Sequence, residues 1–205
     1  DFCLSRGLGD VYKRQLEGYL ASEGIRLARV AGYESVVRDG DGLRLTGNGG
    51  ENFIAERLVL ATGRVPNSDG LNLGAAGIET DARGGIVVDA QMRTSNPSVW
   101  AAGDVIGRDQ FVYMAAYGAK LAARNAVAGE ARSYDNSTMP WVVFSDPQVA
   151  GVGLSEAQAR AAGREVLTSV LPLDAVPRAL AARDTRGLIK LVAEAGSKRL
   201  LGAQI

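Results

Sequence analysis

The sequence predicts an α/β fold that passes into a strand-rich α+β segment toward its C-terminal end. Three observations carry this. Leu58-Val-Leu60 and Val99-Trp100 are apolar runs that break at Ala61-Thr-Gly63-Arg64-Val-Pro-Asn67 and Ala101-Ala-Gly103-Asp104. Such a run, broken by small residues and glycine, reads as a buried strand ending in a turn. Phe111 to Ala128 is an alanine-rich helical stretch closed by Gly129. From about Met139 onward, strand-like runs dominate.

The elements come in order. Leu16 to Gly24 reads as the end of a helix with Gly24 as its stop, and Ile25 to Val30 as a short strand. Glu34–Val37 and Leu43–Thr46 flank Asp39-Gly-Asp-Gly42, a hairpin signal, and Asn52–Ala55 pairs onward. Leu58–Ala61 is expected to be a buried strand, as are Gly85–Asp89 and Val99–Ala102, with turn chemistry at Thr94-Ser-Asn-Pro97 between them. Further strands are predicted at Trp141–Phe144, Val149–Leu154, Val166–Leu171, Leu188–Val192 and Leu200–Ile205. Ser155-Glu-Ala-Gln158 is a capping box opening a short helix that Gly163 ends.

Composition narrows the function. The 205 residues fit one or two domains, and 23 basic against 23 acidic residues give no electrostatic case for nucleic acid. No apolar run approaches the roughly 20 residues that cross a membrane. A single cysteine excludes a disulfide scaffold and fits a reducing, cytoplasmic setting. The absence of histidine excludes a Ser-His triad and a histidine base within this stretch.

Ligands of open α/β sheets sit at the carboxyl ends of strands. Asp104 is expected there, where its carboxylate can accept hydrogen bonds from sugar or ribitol hydroxyls. An aspartate capping a turn or helix is the simpler alternative. Gly63 permits close approach of backbone to a ligand. Arg64 can pair with a carboxylate or phosphate, or lie on the surface in an ordinary ion pair. Val112 starts a helix whose first amides are free and partly positive.

The segments Ala61-Thr-Gly-Arg-x-Pro-Asn67 and Ala101-Ala-Gly-Asp104, in that order, resemble the flavin-dependent pyridine nucleotide-disulphide oxidoreductases. Phe111-Val-Tyr113, Val176-Pro-Arg-Ala179 and Asp184-Thr-Arg-Gly187 resemble the mercuric reductase branch of that family. The resemblance covers Leu16 to Ile205. It implies partial FAD- and NAD(P)-binding three-layer domains followed by a truncated α+β dimerisation domain. Residues 16–62 would be the last part of the NAD(P)-binding domain, 63–138 the returning part of the FAD-binding domain, and 139–205 the start of the dimerisation domain.

The resemblance further implies FAD and NADPH as cofactors, Hg(II) as a substrate reduced to Hg(0), a homodimer, and no nucleic-acid or membrane partner. Asp104 would bind the flavin ribityl chain, and Val112 would offer its amide to the pyrimidine edge, with Gly103, Gly63 and Arg64 around them. No catalytic residue and no metal ligand is assigned, because the family's Cys-x-x-x-x-Cys pair, its Gly-x-Gly-x-x-Gly fingerprints and the C-terminal cysteine pair are absent from these residues. Arg178, Arg183 and Arg186 are expected to hold a loop by ion pairs. Two rivals stand beside this reading: a dihydrolipoamide dehydrogenase-like enzyme, and a non-catalytic piece that binds through its interface strands.

Asp1 to Gln15 has neither helical nor alternating period. Asp10–Gln15 back-translates to GAT-GTG-TAT-AAG-AGA-CAG, which resembles a transposase sequencing adapter. Residues 1–15, with Cys3, are therefore expected to be a processing scar, the alternative being a native basic start to a helix. Leu200–Ile205 stops mid-strand, so the chain is expected to be an internal fragment, inactive alone and without stable FAD binding.

Overall fold

The computed structural model describes residues 10–205; Cys3 and the first part of the adapter-like stretch lie outside the described residues. The chain divides into two compact units. Among the described residues, one comprises residues 10–62, 142–150 and 154–205, and the other 63–141 and 151–153.

In the first unit, α1 (Asp10–Ser22) includes Asp10–Gln15 and continues through the expected helix end. It closes with Gly24 N–H on the Ala21 carbonyl and Ile25 N–H on the Leu20 carbonyl, each at 3.0 Å. This paired closure satisfies carbonyls that a helix end otherwise leaves bare. β1 (Tyr33–Asp39), β2 (Gly42–Gly47) and β3 (Asn52–Ala55) form an antiparallel sheet in that order. The Asp39-Gly-Asp-Gly42 turn sets its register, which places Val36 opposite Leu45 and Leu45 opposite Phe53.

Two expected strands of this unit do not form. Ile25–Val30 is irregular, with Ile25 and Leu27 half exposed. Leu58–Ala61 is also irregular, and Val59 is 86% exposed. A strand needs a neighbour to satisfy its backbone. Among the described residues none pairs with either run, so an apolar sequence alone makes no strand.

The second sheet has the order β4 (Pro140–Val143), β5 (Val149–Gly153), β8 (Leu200–Gln204), β7 (Leu188–Glu194), β6 (Val166–Pro172). β7 runs antiparallel to both β6 and β8, and its Val192 is fully buried. α3 (Glu156–Ala161) starts at the expected capping box: Gln158 N–H donates to Ser155 Oγ at 3.2 Å, and Ser155 N–H to Gln158 Oε1 at 2.8 Å. Lys190 of β7 donates to Glu156 of α3 at 2.6 Å, and these contacts with Lys190 and Arg160 hold the Glu156 carboxyl below its usual range.

The stretch after β6, expected as a loop, contains α4 (Pro177–Ala182), begun by Pro177 and ended by Arg183 in the left-handed region at φ 55°. Proline suits a first helical position because its missing N–H has no partner there anyway. Arg186 bridges Asp184 (2.9 Å), Asp146 (2.6 Å) and Glu23 (3.5 Å), as expected for a loop-holding arginine. Arg178 and Arg183 make no ion pair among the described residues.

The second unit packs on Ile78, Ile86, Met92, Ile106, Leu121 and Ala122. Its helix α2 (Val112–Ala128) lies within the predicted range and ends at Gly129. The strands expected at Gly85–Asp89 and Val99–Ala102 are replaced by isolated bridges, Thr80 to Ile86, Val88 to Thr94 and Arg93 to Trp100. Side chains take the place of a ladder. Asp81 accepts from the Arg83 and Gly85 amides at 2.8 Å, and Asp89 accepts from the Gln91 and Arg93 amides at 2.9 Å. Such local aspartate turns compete with sheet pairing.

Asn125, buried on α2, ties the helix to two loops: it donates to the Gln91 and Arg132 carbonyls and accepts from the Arg132 amide, at 2.8–2.9 Å. Asn125→Leu leaves those buried backbone groups without partners, so it is expected to lower unfolding free energy by about 3 kcal/mol in denaturant titrations. Hydrogen bonds from Arg186 hold the Asp184 carboxyl down at about 2 instead of 3.8. A carboxyl lowered in the folded state stabilises the fold above its unfolded value, and that contribution fades as pH falls toward about 2. In Arg186→Gln, carboxyl-detected NMR titration is expected to show Asp184 moving up toward 3.8.

Candidate functional site

One corner of the second unit gathers the segments singled out in the sequence. Arg64 donates from Nη1 to the Gln110 carbonyl at 2.5 Å, which ties the Gly63–Asn67 segment to the turn before α2. A Cβ on Gly107 would lie 3.4 Å from Pro66 Cγ, so the same segment also runs beside the loop after Asp104. Arg64 thus braces backbone, and it pairs with no carboxylate among the described residues.

Gly103 adopts φ 83°, ψ −160°, a conformation that L side chains rarely enter. A Cβ there would also sit 3.1 Å from Ala115 Cβ, in the first turn of α2. The requirement for glycine is therefore double. Asp104, next in sequence, is held beside the N-terminal end of α2. It opens a 3₁₀ turn (Asp104–Ile106) whose carbonyl accepts from Gly107 N–H at 3.0 Å. Its carboxylate is exposed and accepts no hydrogen bond among the described residues. Of the simpler alternatives, a cap on α2 is not seen, because α2 starts at Val112 after Phe111 with no side-chain cap, whereas a turn aspartate is: Asp104 is the first residue of the 3₁₀ turn.

At the start of α2 the Met114 and Ala115 amides both donate to the Phe111 carbonyl at 3.0 Å. The Val112 and Tyr113 amides keep no partner among the described residues, and Val112 is 84% exposed. Uncapped amides at a helix start carry partial positive charge and favour an anion or acceptor. Gly63, at φ 114°, has open space where a side chain would stand. The corner therefore presents one unpaired acceptor, two unpaired donors and an uncovered stretch of backbone.

Polar residues with no local signature support it from behind. Asp109 is buried and lies in the left-handed region at φ 47°. It accepts from Tyr134 Oη at 3.2 Å and Asn136 Nδ2 at 2.9 Å. Burial, together with the Asp109 charge and hydrogen bond, pushes the Tyr134 phenol well above its ordinary value. Tyr113 stacks on Phe111 with ring centroids 5.3 Å apart, and its hydroxyl donates to the Pro140 carbonyl. The sequence showed Phe111-Val-Tyr113 only as a motif; the hydropathy pattern does not mark Asp109, because its partners stand 25 and 27 residues away. Among the described residues no acidic, histidine or cysteine cluster could hold a metal ion, and no helix is long and apolar enough to cross a membrane.

Known proteins of the same kind surround this chain. Residues 1–123 match the family model "Pyridine nucleotide-disulphide oxidoreductase", and residues 139–205 match its dimerisation domain. Mercuric reductase from Bacillus cereus is 49% identical over 189 residues, which is 91% of this chain and 30% of that protein. Mercuric reductase from Acidithiobacillus ferrooxidans is 51% identical over 167 residues, 82% of this chain and 30% of that protein. The flavoprotein disulfide reductase RclA from Escherichia coli superposes with a TM-score of 0.88 at 31% identity, covering 98% of this chain and 46% of that one. The chain thus spans about a third of these mercuric reductases. With both of its segments matched in order, the chain belongs to the pyridine nucleotide-disulphide oxidoreductase family.

Proposed function

We propose that this chain is part of an FAD- and NADPH-dependent mercuric reductase, that it acts in the cytoplasm in mercury detoxification, and that it works as a homodimer. The observation that carries the flavin part is the unpaired Asp104 carboxylate beside the unpaired Val112 and Tyr113 amides. These residues fit the group. A ribityl chain supplies hydroxyl donors for a lone carboxylate, and a pyrimidine edge supplies acceptors for helix amides. A bound FAD would supply two-electron transfer between NADPH and Hg(II), which would be reduced to Hg(0).

The chain's own residues bind and orient. Asp104 accepts from ribityl hydroxyls. The Val112 amide and the start of α2 stabilise negative charge on the ring edge, an electrostatic role that needs no side chain. Gly103 sets Asp104 against the helix, Gly63 lets the ring system approach, and Arg64 fixes the two loops to each other. Residues 16–62 would belong to the NADPH-binding part, 63–138 to the FAD-binding part and 139–205 to the dimer interface. The mercuric reductases among the relatives favour Hg(II) over a dihydrolipoamide-type dithiol as substrate. Thiolates, which suit this soft metal, would come from outside these residues.

The test uses the complete protein encoded around this chain, with and without Asp104→Ala. A hydrogen bond to a charged group contributes about 1.5–3 kcal/mol, so Asp104→Ala is expected to weaken FAD retention by roughly 10- to 100-fold. The unsubstituted protein should carry stoichiometric FAD and release volatile Hg(0) when supplied with NADPH and Hg(II). A protein that oxidises NADPH without consuming Hg(II) would refute the substrate, and unchanged FAD retention in Asp104→Ala would refute the site.

A further inference from the structure

The turn that feeds α2 is built on two unfavourable choices at one residue. Asp109 is 6% exposed, yet among the described residues its carboxylate has no cation paired to it. It rests on the neutral donors Tyr134 and Asn136, while the neighbouring Arg108 guanidinium lies over the Tyr134 ring at 5.1 Å. Burying a carboxylate on neutral donors costs stability. Its backbone also stands at φ 47°, a region costly for a residue with a side chain, though aspartate tolerates it better than most. Strain and burial kept together at one position point to a constraint on the adjoining chain.

The adjoining chain is the flavin-facing edge. The Asp109 carbonyl accepts from Phe111 N–H at 2.7 Å, which folds the chain tightly over Gln110. That fold sends the Gln110 carbonyl to Arg64 and puts Phe111 in the extended conformation (φ −128°, ψ 142°) from which α2 starts with its first amides free. The clamp is anchored on something rigid: Tyr134 packs against the buried core of the unit.

We propose that Asp109 is a positioning residue for the cofactor: clamped by Tyr134 and Asn136, its carboxylate holds the 107–111 turn so that Gln110 meets Arg64 and the first amides of α2 stay open to the ligand. This rests on the flavin reading of the corner. Asparagine at the position keeps an acceptor and tolerates the left-handed backbone, whereas glycine relieves the backbone but abolishes the clamp.

The experiment compares the complete flavoprotein with its Asp109→Asn and Asp109→Gly variants. It reads FAD dissociation, amide hydrogen exchange at the hydrogen-bonded amides within residues 110–114 (Phe111 and Met114), and melting of the FAD-free protein. Asp109→Gly is expected to raise the FAD dissociation constant and the exchange rate at these amides by about tenfold or more, with Asp109→Asn within about threefold of the parent in both. Three results would overturn the proposal: an Asp109→Gly protein indistinguishable from the parent, an Asp109→Asn protein as impaired as Asp109→Gly, or FAD loss that tracks a general drop in melting while exchange at these amides is unchanged. A parent protein that binds no FAD would sink the flavin reading by itself. The exchange comparison would then still decide the clamp: faster exchange in Asp109→Gly alone upholds it, and equal exchange refutes it.

Discussion

The second unit depends on how closely the backbone from Ala101 to Asp104 lies against α2. A Cβ on Gly103 would meet Ala115 Cβ at 3.1 Å, and a Cβ on Gly118 would meet Ala102 Cβ at 3.3 Å. Both sides of the contact are already reduced to glycine and alanine, so neither can accept another carbon without moving the helix. Met92, fully buried, closes the same gap from below, with its methyl 3.3 Å from where a Gly118 Cβ would be. The result is a loop and a helix start whose separation is fixed by van der Waals contact. An exposed carboxylate and two free amides are held at that edge by packing beneath them, so their placement does not rely on the mobility of long side chains.

The brace from Arg64 works in the same direction. A guanidinium cannot lose its charge in the ordinary pH range, and a hydrogen bond from a charged donor to a carbonyl is stronger than one between neutral groups. By bonding Gln110, Arg64 couples the Gly63–Asn67 segment to α2 across 46 positions of sequence. The two glycine motifs are therefore parts of one corner. Reading each as a separate strand end underestimates how directly they cooperate.

Several elements were legible because their causes are local. The Asp39-Gly-Asp-Gly42 turn, the Ser155–Gln158 capping box and the Gly129 stop of α2 each need only neighbouring residues, and each stands where the sequence put it. Leu58–Ala61 failed as a strand because pairing is not a local property; its apolar side chains are those of a central strand, but nothing described lies beside it. Gly85–Asp89 and Val99–Ala102 failed for another reason: Asp81, Asp89 and Thr94 draw the backbone into turns that leave only single bridges. α4 could have been found, since Pro177 is a signal for a first helical turn. Asp104 and Val112 were singled out by strand-end and helix-start reasoning together with motif resemblance, whereas the contact of Asp109 with Tyr134 and Asn136 is a long-range polar contact that no periodicity encodes.

The most direct measurement is a structure of the complete protein with FAD bound. The account predicts an Asp104 carboxylate oxygen within about 2.5–3.0 Å of a ribityl hydroxyl, with the Val112 amide at about 2.7–3.2 Å from the pyrimidine edge and Arg64 still on the Gln110 carbonyl. FAD seated elsewhere, with Asp104 solvated and the α2 amides facing water, would contradict it.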